Sequence, residues 1–376
     1  MSFVKSLAKK IINKLPTKRL IIFESAPDLS DNSKAVFDEM IRRGMNNKYK
    51  MLWLMSKEPS ADLPKIKNVK YVKMENTKKI LLTKYSARCF ICCNDWLESL
   101  RKGQTSFYLS HGTAIKNVVG YYDVFPERMD YCLSAGEDVA FLCEQQFGAP
   151  REKIFSLGFP RNDVLVDAAV DLHPAFPDCD FEKIIVWYPT YRQHKNGGVV
   201  SGGSSLPVIH DSEAAAALNE VARREKVLIV LKPHFAQDVS YVKDMGLSNI
   251  KFIDDSFFGK NNISSYDFVG SCDALITDYS SIYYDYTLCQ KPIALVWEDY
   301  EEYKKTPGFA EGVDALLEGG EKVYTLSELC AFTERVARGE DKLREIRWDI
   351  CKKVNYNADN NSSKRVVDFI IEKAKL

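Results

Sequence analysis

Short apolar runs that alternate with helix-like segments limit the fold of this chain more than any other feature of its sequence. In the first half, the runs occupy residues 20–23, 51–55, 89–93, 106–109 and 131–134. In the second half, they occupy residues 184–188, 227–231, 250–253, 274–277 and 293–296. Short runs that are mostly apolar, with many β-branched and aromatic residues, are typical of strands buried in a parallel sheet.

Helix-like segments, such as residues 33–43 and 77–86, separate several of these runs. Strands that alternate with helices predict α/β domains with parallel sheets. The chain has 376 residues, which is long enough for two domains of roughly 150 to 180 residues each. We therefore predict two Rossmann-like domains, over residues 20–170 and 180–350.

The predicted boundary between these domains lies at residues 167–182, where Pro174 and Pro177 interrupt the pattern. A glycine- and serine-rich stretch at residues 195–205 is interpreted as a mobile loop. The last segment, residues 351–376, is predicted to contain a terminal helix with one apolar face that docks on a domain.

The amino terminus, residues 1–19, is predicted to form a basic amphipathic helix. Its cations all precede the first acidic residue, Glu24, and are Lys5, Lys9, Lys10, Lys14, Lys18 and Arg19. Apolar residues recur beside them at helical spacing, as in a helix that lies on an anionic membrane surface. A helix that packs on the protein's own surface fits the same pattern.

The composition excludes several classes of function. The 52 basic residues balance the 52 acidic ones, so no overall field favours a nucleic acid as a partner. Most of the ten cysteines stand singly in apolar runs, and no second pair completes a zinc set with Cys89, Cys92 and Cys93. There is no secretory signal and no apolar run of about 18 residues, so we expect a cytoplasmic chain that does not span a membrane.

Polar residues follow the apolar runs, and in open α/β sheets ligands bind at the carboxyl ends of the strands. His111-Gly112-Thr113 follows one run, and Pro189-Thr190-Tyr191-Arg192 another. Lys232-Pro233-His234 and Asp278-Tyr279-Ser280-Ser281 follow two more. The last group precedes a helix-like segment, where free backbone N–H groups favour anions.

Each of these groups also has a plain structural interpretation. Ser280 and Ser281 fit helix caps, and His111 fits a buried histidine with hydrogen-bonded nitrogens. The repeated placement of such groups after strands favours a binding site. A cleft with His111, Arg161, Arg192, Lys232 and His234 would suit a diphosphate.

The sequence resembles the CDP-glycerol glycerophosphotransferases, which build teichoic acids and related polyol-phosphate polymers, over nearly its whole length. The first motifs that carry the resemblance are Phe23-Glu24-Ser25, Ser30-Asp31-Asn32, His111-Gly112-Thr113, Gly158-Phe159-Pro160-Arg161-Asn162-Asp163 and Tyr188-Pro189-Thr190-Tyr191-Arg192. They continue with Lys232-Pro233-His234, Thr277-Asp278-Tyr279-Ser280-Ser281 with Asp285, Lys291-Pro292-Ile293 and Ser362-Ser363-Lys364-Arg365.

The resemblance implies a GT-B fold, with two facing Rossmann-like domains and a cleft between them. It also implies a peripheral enzyme on the cytoplasmic side of the membrane, with CDP-glycerol as donor and a lipid-linked saccharide or polyol phosphate as acceptor. His111 and His234 are the predicted catalytic residues. The predicted donor-binding residues are Gly112, Thr113, Ala114, Ile115, Arg161, Asn162, Pro189, Thr190, Arg192, Lys232, Pro233, Ser280, Ser281 and Asp285.

The chain departs from the family pattern next to His111. Ala114 stands where the family usually has proline, and Ser110 stands where tryptophan is common. We therefore expect different acceptor geometry at this loop. The chain also lacks room for the extra domain of long processive polymerases, so we expect a primase-like enzyme or a compact capsule polymerase.

The predicted reaction is in-line attack of an acceptor hydroxyl on the phosphorus nearest the glycerol, with CMP as the leaving group. His111 is the predicted general base, and Asp285 is predicted to bind donor hydroxyls. No DxD pair follows the strands, so we expect neither a metal ion nor another cofactor. Three alternatives stay open: a ribitol phosphate transferase, a GT-B glycosyltransferase that uses a nucleotide sugar, and a non-catalytic binding protein that keeps the fold.

Overall fold

Parallel strands occur in both halves of the chain, as the alternating pattern predicts. The structure, a computed structural model, describes residues 16–75, 77–120, 124–190, 206–233 and 239–376. The strands among these residues are β1 (Leu20–Glu24), β2 (Lys50–Met55), β3 (Val69–Lys73), β4 (Cys89–Cys92), β5 (Thr105–Tyr108), β6 (Tyr131–Ser134), β7 (Ile154–Ser156), β8 (Lys183–Trp187), β9 (Val227–Leu231), β10 (Ile250–Phe252), β11 (Ala274–Thr277), β12 (Ile293–Val296) and β13 (Glu321–Val323).

Helices connect most of these strands. They are α1 (Asp31–Arg42), α2 (Lys78–Ser86), α3 (Phe141–Phe147), α4 (Asp163–Val166), α5 (Ser212–Arg224), α6 (Ser240–Lys243), α7 (Asp255–Asn261), α8 (Ser265–Ser271), α9 (Ile282–Tyr286), α10 (Tyr300–Lys305), α11 (Leu326–Ala337), α12 (Arg344–Val354) and α13 (Ser362–Ala374). No helix in the described part of the chain has the length and apolarity that crossing a membrane requires.

The chain divides into two units, each with one sheet. The first unit takes residues 1–113, 123–163 and 355–376, and the second takes residues 114–122 and 164–354. The C-terminal helix α13 therefore returns to the first unit, although the sequence places it after the second domain.

The first sheet has the strand order β3-β2-β1-β4-β5-β6-β7, and all its neighbours are parallel. Phe23 in β1 lies between Trp53 in β2 and Ile91 in β4. After β3 the chain returns to the other side of β1, so the order reverses between β1 and β4. In open α/β sheets such a reversal opens a crevice at the carboxyl ends of the strands.

One face of the first sheet carries most of this unit's core. Phe23, Phe37 and Trp53 form an aromatic cluster with ring centroids 5.3 to 5.6 Å apart. Helices α1 and α13 cover this face, and α13 buries Val367 and Ile370 against it. The apolar face predicted for the C-terminal helix is thus the surface that docks.

The second sheet has the order β10-β9-β8-β11-β12-β13, again with parallel neighbours. Its order reverses between β8 and β11. Helices α5 and α11 pack on one face, where Leu218, Leu329 and Phe332 are fully buried. The two Rossmann-like units confirm the predicted α/β class.

The strands that the sequence pattern missed, β3, β7 and β13, all lie at sheet edges. Lys70 and Lys73 interrupt β3, and Glu321 and Lys322 begin β13. An edge strand has a partner on one side alone and is less buried, so it needs fewer apolar residues. Its sequence therefore lacks the continuous apolar run that identified the central strands.

The cysteines agree with their interpretation as core thiols. Cys89, Cys92, Cys93, Cys132 and Cys272 are buried and form no disulfides. Burial raises the pKa of the Cys89, Cys92, Cys93 and Cys272 thiols well above the ordinary range. A hydrogen bond with Cys143, together with burial, raises the pKa of Cys132 in the same way, so all five thiols are protonated at neutral pH.

Candidate functional site

The loop after β5 carries His111 at the carboxyl edge of the first sheet. Ser110 has φ 54° and Gly112 has φ 152°, so the backbone takes left-handed conformations on both sides of the histidine. A side chain at position 112 would strain this backbone, which glycine accepts without penalty. Ser110 is buried, whereas His111 is partly exposed.

Helix α1 holds this loop through a buried amide. The Asn32 Nδ2 group donates to the carbonyls of Leu109 and Ser110, each at 3.0 Å. The Asn32 Oδ1 atom accepts the backbone N–H of Arg161 at 3.1 Å. Asn32 is fully buried, so its loss would leave several polar groups without partners in a dry environment. Asn32 belongs to the Ser30-Asp31-Asn32 motif, but no local pattern predicts its role in the site.

Arg161 also holds the loop that carries His111, and we call the contacts of Asn32, Asp31 and Arg161 with this loop the clamp. Its Nη1 atom donates to Asp31 Oδ1 at 2.8 Å and to the His111 carbonyl at 2.7 Å. The side chains of Arg161 and Asp31 are 9% and 12% exposed. The next residue, Asn162, is 2% exposed. These contacts favour a role for Arg161 in fixing the backbone of His111, and its role in phosphate binding stays a prediction.

The motif at residues 158–163 contacts the motif at residues 362–365, although the two lie far apart in the sequence. The Asp163 carboxylate accepts the backbone N–H groups of Ser362 and Ser363 at 2.7 and 2.8 Å, at the start of α13. Gly158 has φ 81°, and a Cβ there would lie 2.3 Å from the Ser362 Oγ atom. Both motifs therefore serve to dock the C-terminal helix on the first unit.

The reversal point of the first sheet contains a buried carboxyl group that the sequence did not single out. Glu24 ends β1 and is 3% exposed. Its Oε2 atom accepts the backbone N–H groups of Cys93, Asn94 and Asp95 at 3.1 to 3.2 Å. Burial nevertheless raises the pKa of Glu24 from 4.5 to about 7. The sequence signal that could have identified Glu24 is its position directly after the apolar run 20–23.

We predict that Glu24 makes stability depend on pH. Its pKa is about 7 in the folded protein and 4.5 ordinarily, so its contribution is complete below pH 4.5 and is lost as the pH rises through 7. The free energy of unfolding should therefore fall by about 3 kcal/mol at most as the pH rises. Glu24→Gln should remove this fall when urea unfolding is measured at pH 5 and pH 8.

The control for this experiment is Glu345→Gln, which changes an exposed carboxylate in α12. It should leave the pH dependence as it is in the parent protein. An equal fall in stability between pH 5 and pH 8 in the parent and in Glu24→Gln would contradict the assignment.

In the second unit, hydrogen bonds join the loops after β8 and β11 at the reversal point of the sheet. We call this set of hydrogen bonds, which centres on Asp278, the clasp. Both carboxylate oxygens of Asp278 accept the Thr190 N–H, at 3.0 and 2.9 Å. The Asp278 Oδ1 atom also accepts the Tyr279 N–H at 2.6 Å. The Thr277 hydroxyl donates to the Tyr188 carbonyl at 2.8 Å. The sequence missed Asp278 as a site residue, although it follows β11 directly.

Ser280 and Ser281 lie between this clasp and α9, as the sequence predicts. Neither serine forms a side-chain cap of the usual geometry, and the Ser280 Oγ atom is 3.5 Å from the Ile282 nitrogen. Both residues are partly exposed. The Ser281 hydroxyl caps no helical N–H group, and the Ser280 hydroxyl accepts the Ile282 N–H only at this long distance, so helix capping accounts poorly for the pair.

Lys232 follows β9, the neighbour of β8 in the second sheet. Its Nζ atom lies 3.0 Å from Asp255 Oδ1 and 5.9 Å from the centre of the Tyr188 ring. The Asp255 side chain is 86% exposed, so water weakens this ion pair. A bound phosphate can therefore compete for the Lys232 ammonium group.

Asp285 is not a solvated helix carboxylate. It is 2% exposed and accepts the Tyr266 hydroxyl at 2.8 Å. Tyr283 and Tyr284 beside it are also buried. The residue lies in the interior of the second unit, where the predicted contact with donor hydroxyls stays a prediction.

The remaining predicted residues have these positions. Gly112 and Thr113 end a segment of the first unit, and Ala114 begins a segment of the second. Ile115 is buried and its carbonyl accepts the Ala310 N–H at 2.8 Å. Pro189 is buried, and Pro233 is partly exposed beside Lys232.

Some predictions concern residues outside the described part of the chain. They are the catalytic candidate His234, the donor-binding candidate Arg192, the loop at 195–205, and all but the last residues of the 1–19 segment. The second unit thus brings Thr190, Lys232, Ser280 and Ser281 to the carboxyl edge of its sheet. The first unit places His111 and Arg161 at the carboxyl edge of the other sheet.

Comparison with known families gives one match over nearly the whole chain. The model of the CDP-glycerol:poly(glycerophosphate) glycerophosphotransferase family matches residues 7–372. A teichoic acid glycerol-phosphate transferase from Staphylococcus aureus is 26% identical over 336 residues, which cover 78% of each chain. A teichoic acid poly(glycerol phosphate) polymerase from Staphylococcus epidermidis is also 26% identical, over 76% of this chain and 41% of that protein.

Solved structures show the same fold. A variant of the wall teichoic acid polymerase TagF superposes with a TM-score of 0.75 at 22% identity, over 99% of this chain and 92% of that one. A UDP-GlcNAc 2-epimerase from Neisseria meningitidis gives a TM-score of 0.51 at 13% identity, over 94% of this chain and 99% of that one. These likenesses concern architecture and agree with the predicted GT-B class.

Proposed function

The chain belongs to the CDP-glycerol:poly(glycerophosphate) glycerophosphotransferase family, and on this premise we propose that it transfers glycerol phosphate from CDP-glycerol to a membrane-linked acceptor in teichoic acid synthesis. The acceptor is a lipid-linked saccharide or polyol phosphate. The enzyme works at the cytoplasmic face of the membrane, with the basic segment 1–19 as an anchor.

The observation that carries the proposal is the clasp at the reversal point of the second sheet. Asp278 fixes the backbone of Thr190, and this contact holds the ends of β8 and β11 together. The hydroxyls of Ser280 and Ser281 and the Lys232 ammonium group lie on these loops and on the neighbouring β9 end. Hydroxyls and a cation on a fixed backbone suit a diphosphate, because transfer of a phosphoryl group depends on positioning and on charge neutralisation.

The reaction is in-line attack by an acceptor hydroxyl on the phosphorus nearest the glycerol. The new P–O bond forms as the bond between this phosphorus and the oxygen of CMP breaks, and CMP carries away the negative charge. The Lys232 ammonium group stabilises this charge. His234 and Arg192 are the further side chains predicted to stabilise it.

His111 is the general base that takes the proton from the acceptor hydroxyl. An imidazole suits this role because its unperturbed pKa is about 6.5. The clamp formed by Asn32, Asp31 and Arg161 supports the assignment, since it fixes the backbone on which the imidazole depends. A base has to be held within about 3 Å of the proton it removes.

We expect the double variant Ser280→Ala/Ser281→Ala to bind CDP-glycerol about 10- to 100-fold more weakly. A hydrogen bond to a charged group contributes roughly 1.5 to 3 kcal/mol, and the variant loses the hydroxyls assigned to the donor phosphates. Isothermal titration calorimetry with CDP-glycerol measures this change.

The matched control is Ser327→Ala, an exposed serine in the first turn of α11. It removes a hydroxyl from the same unit and should leave the affinity unchanged. Equal donor affinity in the double variant and the control would contradict the donor site.

The reaction itself is tested by incubating the purified protein with CDP-glycerol and lipid-linked acceptors. We expect CMP release that depends on the acceptor, and the size of the product shows whether one unit or many are added. CDP-ribitol and UDP-sugars serve as competing donors. Turnover with a UDP-sugar alone would overturn the proposal in favour of a glycosyltransferase.

A further inference from the structure

The first sheet has a second face, opposite the one that α1 and α13 cover. Helix α2 packs over this face, but Ile80 is its one buried residue. Leu81 and Leu82 on the same helix are 52% and 62% exposed. Two adjacent leucines at this exposure are a clear departure from the usual pattern of a helix on a sheet, which turns its apolar residues inward.

A groove remains between α2 and the strands because the helix covers the sheet incompletely. The main cavity has a volume of about 770 Å³, and its apolar lining includes Leu20, Leu52, Val72 and Ile80. A second cavity of about 550 Å³ shares Leu20 and several further residues with it, so the two form one groove.

The groove is strongly basic, although the whole chain is neutral. Among the residues that the structure describes, the lining contains seven lysine or arginine side chains and a single carboxylate, that of Glu75. Among the described residues, six of these cations have no acidic side chain within ion-pair distance: Lys18, Arg19, Lys48, Lys50, Lys70 and Lys79. The seventh, Lys73, lies 3.2 Å from Glu58, a side chain that is 75% exposed.

We propose that this groove binds the head groups of anionic phospholipids and that Leu81 and Leu82 enter the membrane interface beside it. Clusters of four to eight cations next to apolar side chains are typical of surfaces that bind anionic membranes. The inference deepens the proposed function, because a membrane-linked acceptor requires the enzyme to stay at the membrane.

The chain's own amino terminus is a poorer occupant. Residues 1–15 contain Lys5, Lys9, Lys10 and Lys14 and no acidic residue. Like charges repel it from the groove. Lys18 and Arg19, which directly precede β1, themselves line the groove and contribute to its positive charge.

The groove is separate from the candidate site of the first unit. It includes the amino ends of β1 and β2, at Leu20 and Lys50, and runs along the edge strand β3, whereas His111 follows the carboxyl end of β5, which lies four places from β3 in the sheet order. Amino and carboxyl ends of parallel strands lie at opposite edges of a sheet. Substitutions in the groove therefore test lipid binding without changing the chemistry.

The experiment is co-sedimentation of the full chain with vesicles. One set contains phosphatidylcholine alone, and the other contains phosphatidylcholine with about one third phosphatidylglycerol. We expect binding to the anionic vesicles, and Lys50→Glu/Lys70→Glu should weaken it roughly tenfold or more. The control Lys243→Glu/Lys353→Glu changes the net charge equally at exposed sites of the second unit and should bind as the parent does.

The proposed insertion of Leu81 and Leu82 into the membrane interface is tested with Leu81→Ser/Leu82→Ser, which keeps every cation of the groove. We expect weaker binding to anionic vesicles but unchanged binding to soluble poly(glycerol phosphate). If the charge variant lost the soluble polymer and kept the vesicles, the groove would be a polymer site and the lipid proposal would be overturned.

Equal vesicle binding by the parent and Lys50→Glu/Lys70→Glu would also overturn it. If the full-length variant Lys5→Glu/Lys9→Glu then lost vesicle binding, the amino-terminal segment and not the groove would be the lipid site. Calorimetry with CDP-glycerol on the same proteins reports donor binding independently, so failure of the lipid site and failure of the proposed function are distinguishable.

Discussion

His111→Ala should lower turnover by about 10²-fold or more while the affinity for CDP-glycerol stays as it is in the parent protein. Without the imidazole, the acceptor hydroxyl must lose its proton to water during attack. In the proposed site the donor is bound by loops of the second unit, which the substitution does not alter. The measurement is the initial rate of CMP release at saturating donor, paired with calorimetry.

The matched control for this variant is His173→Ala. The His173 side chain is 65% exposed and pairs with Asp171, in the segment that precedes the amino end of β8. It should give full turnover. A fully active His111→Ala enzyme would end the assignment of His111 as base, and a loss of donor affinity would show that the residue binds the donor instead.

Arg161→Met should destabilise the first unit and slow the reaction without weakening the donor complex. The substitution leaves the Asp31 carboxylate, which is 12% exposed, without its cation and releases the His111 carbonyl. Loss of one partner from a largely buried pair costs about 3 kcal/mol or more. We expect a fall of that size in the free energy of unfolding, and a fall of about tenfold or more in turnover as the base loses its fixed position.

A second substitution separates the clamp from direct phosphate binding by Arg161. Asp31→Asn removes the unpaired charge, so the double variant Asp31→Asn/Arg161→Met should regain part of the stability lost in Arg161→Met. If Arg161 instead binds the donor diphosphate, Arg161→Met would raise the dissociation constant for CDP-glycerol. Urea unfolding and calorimetry on the same set of variants distinguish the two roles.

The central strands were predictable because their signal is local. Residues 89–93 and 274–277, for example, are apolar throughout or nearly so and form β4 and β11. Such a run has one way to bury itself on both faces, in the middle of a parallel sheet. The edge strands β3 and β13 escaped prediction because half-exposed strands tolerate lysine and glutamate.

The uses of the polar residues were harder to predict. Arg161 and Asn32 are 129 residues apart in the sequence, and their contact depends on the order of strands in the first sheet. Asp285 follows Ser281 by one helical turn, yet it is buried against Tyr266 and does not lie in water. Periodicity reports which face of a helix a residue occupies, but the neighbours from distant parts of the chain decide what that face meets.

The α/β class, the central strands and the polar residues that follow them are predictable without a structure, because hydrophobic periodicity and the position of strand ends are properties of adjacent residues. Three features required the folded chain: the clamp of Arg161 and Asn32 on the His111 loop, the burial of Glu24 at the reversal point of its sheet, and the return of α13 to the first unit. Burial and hydrogen bonding across a sheet depend on strand order, which brings together residues that are far apart in the linear sequence.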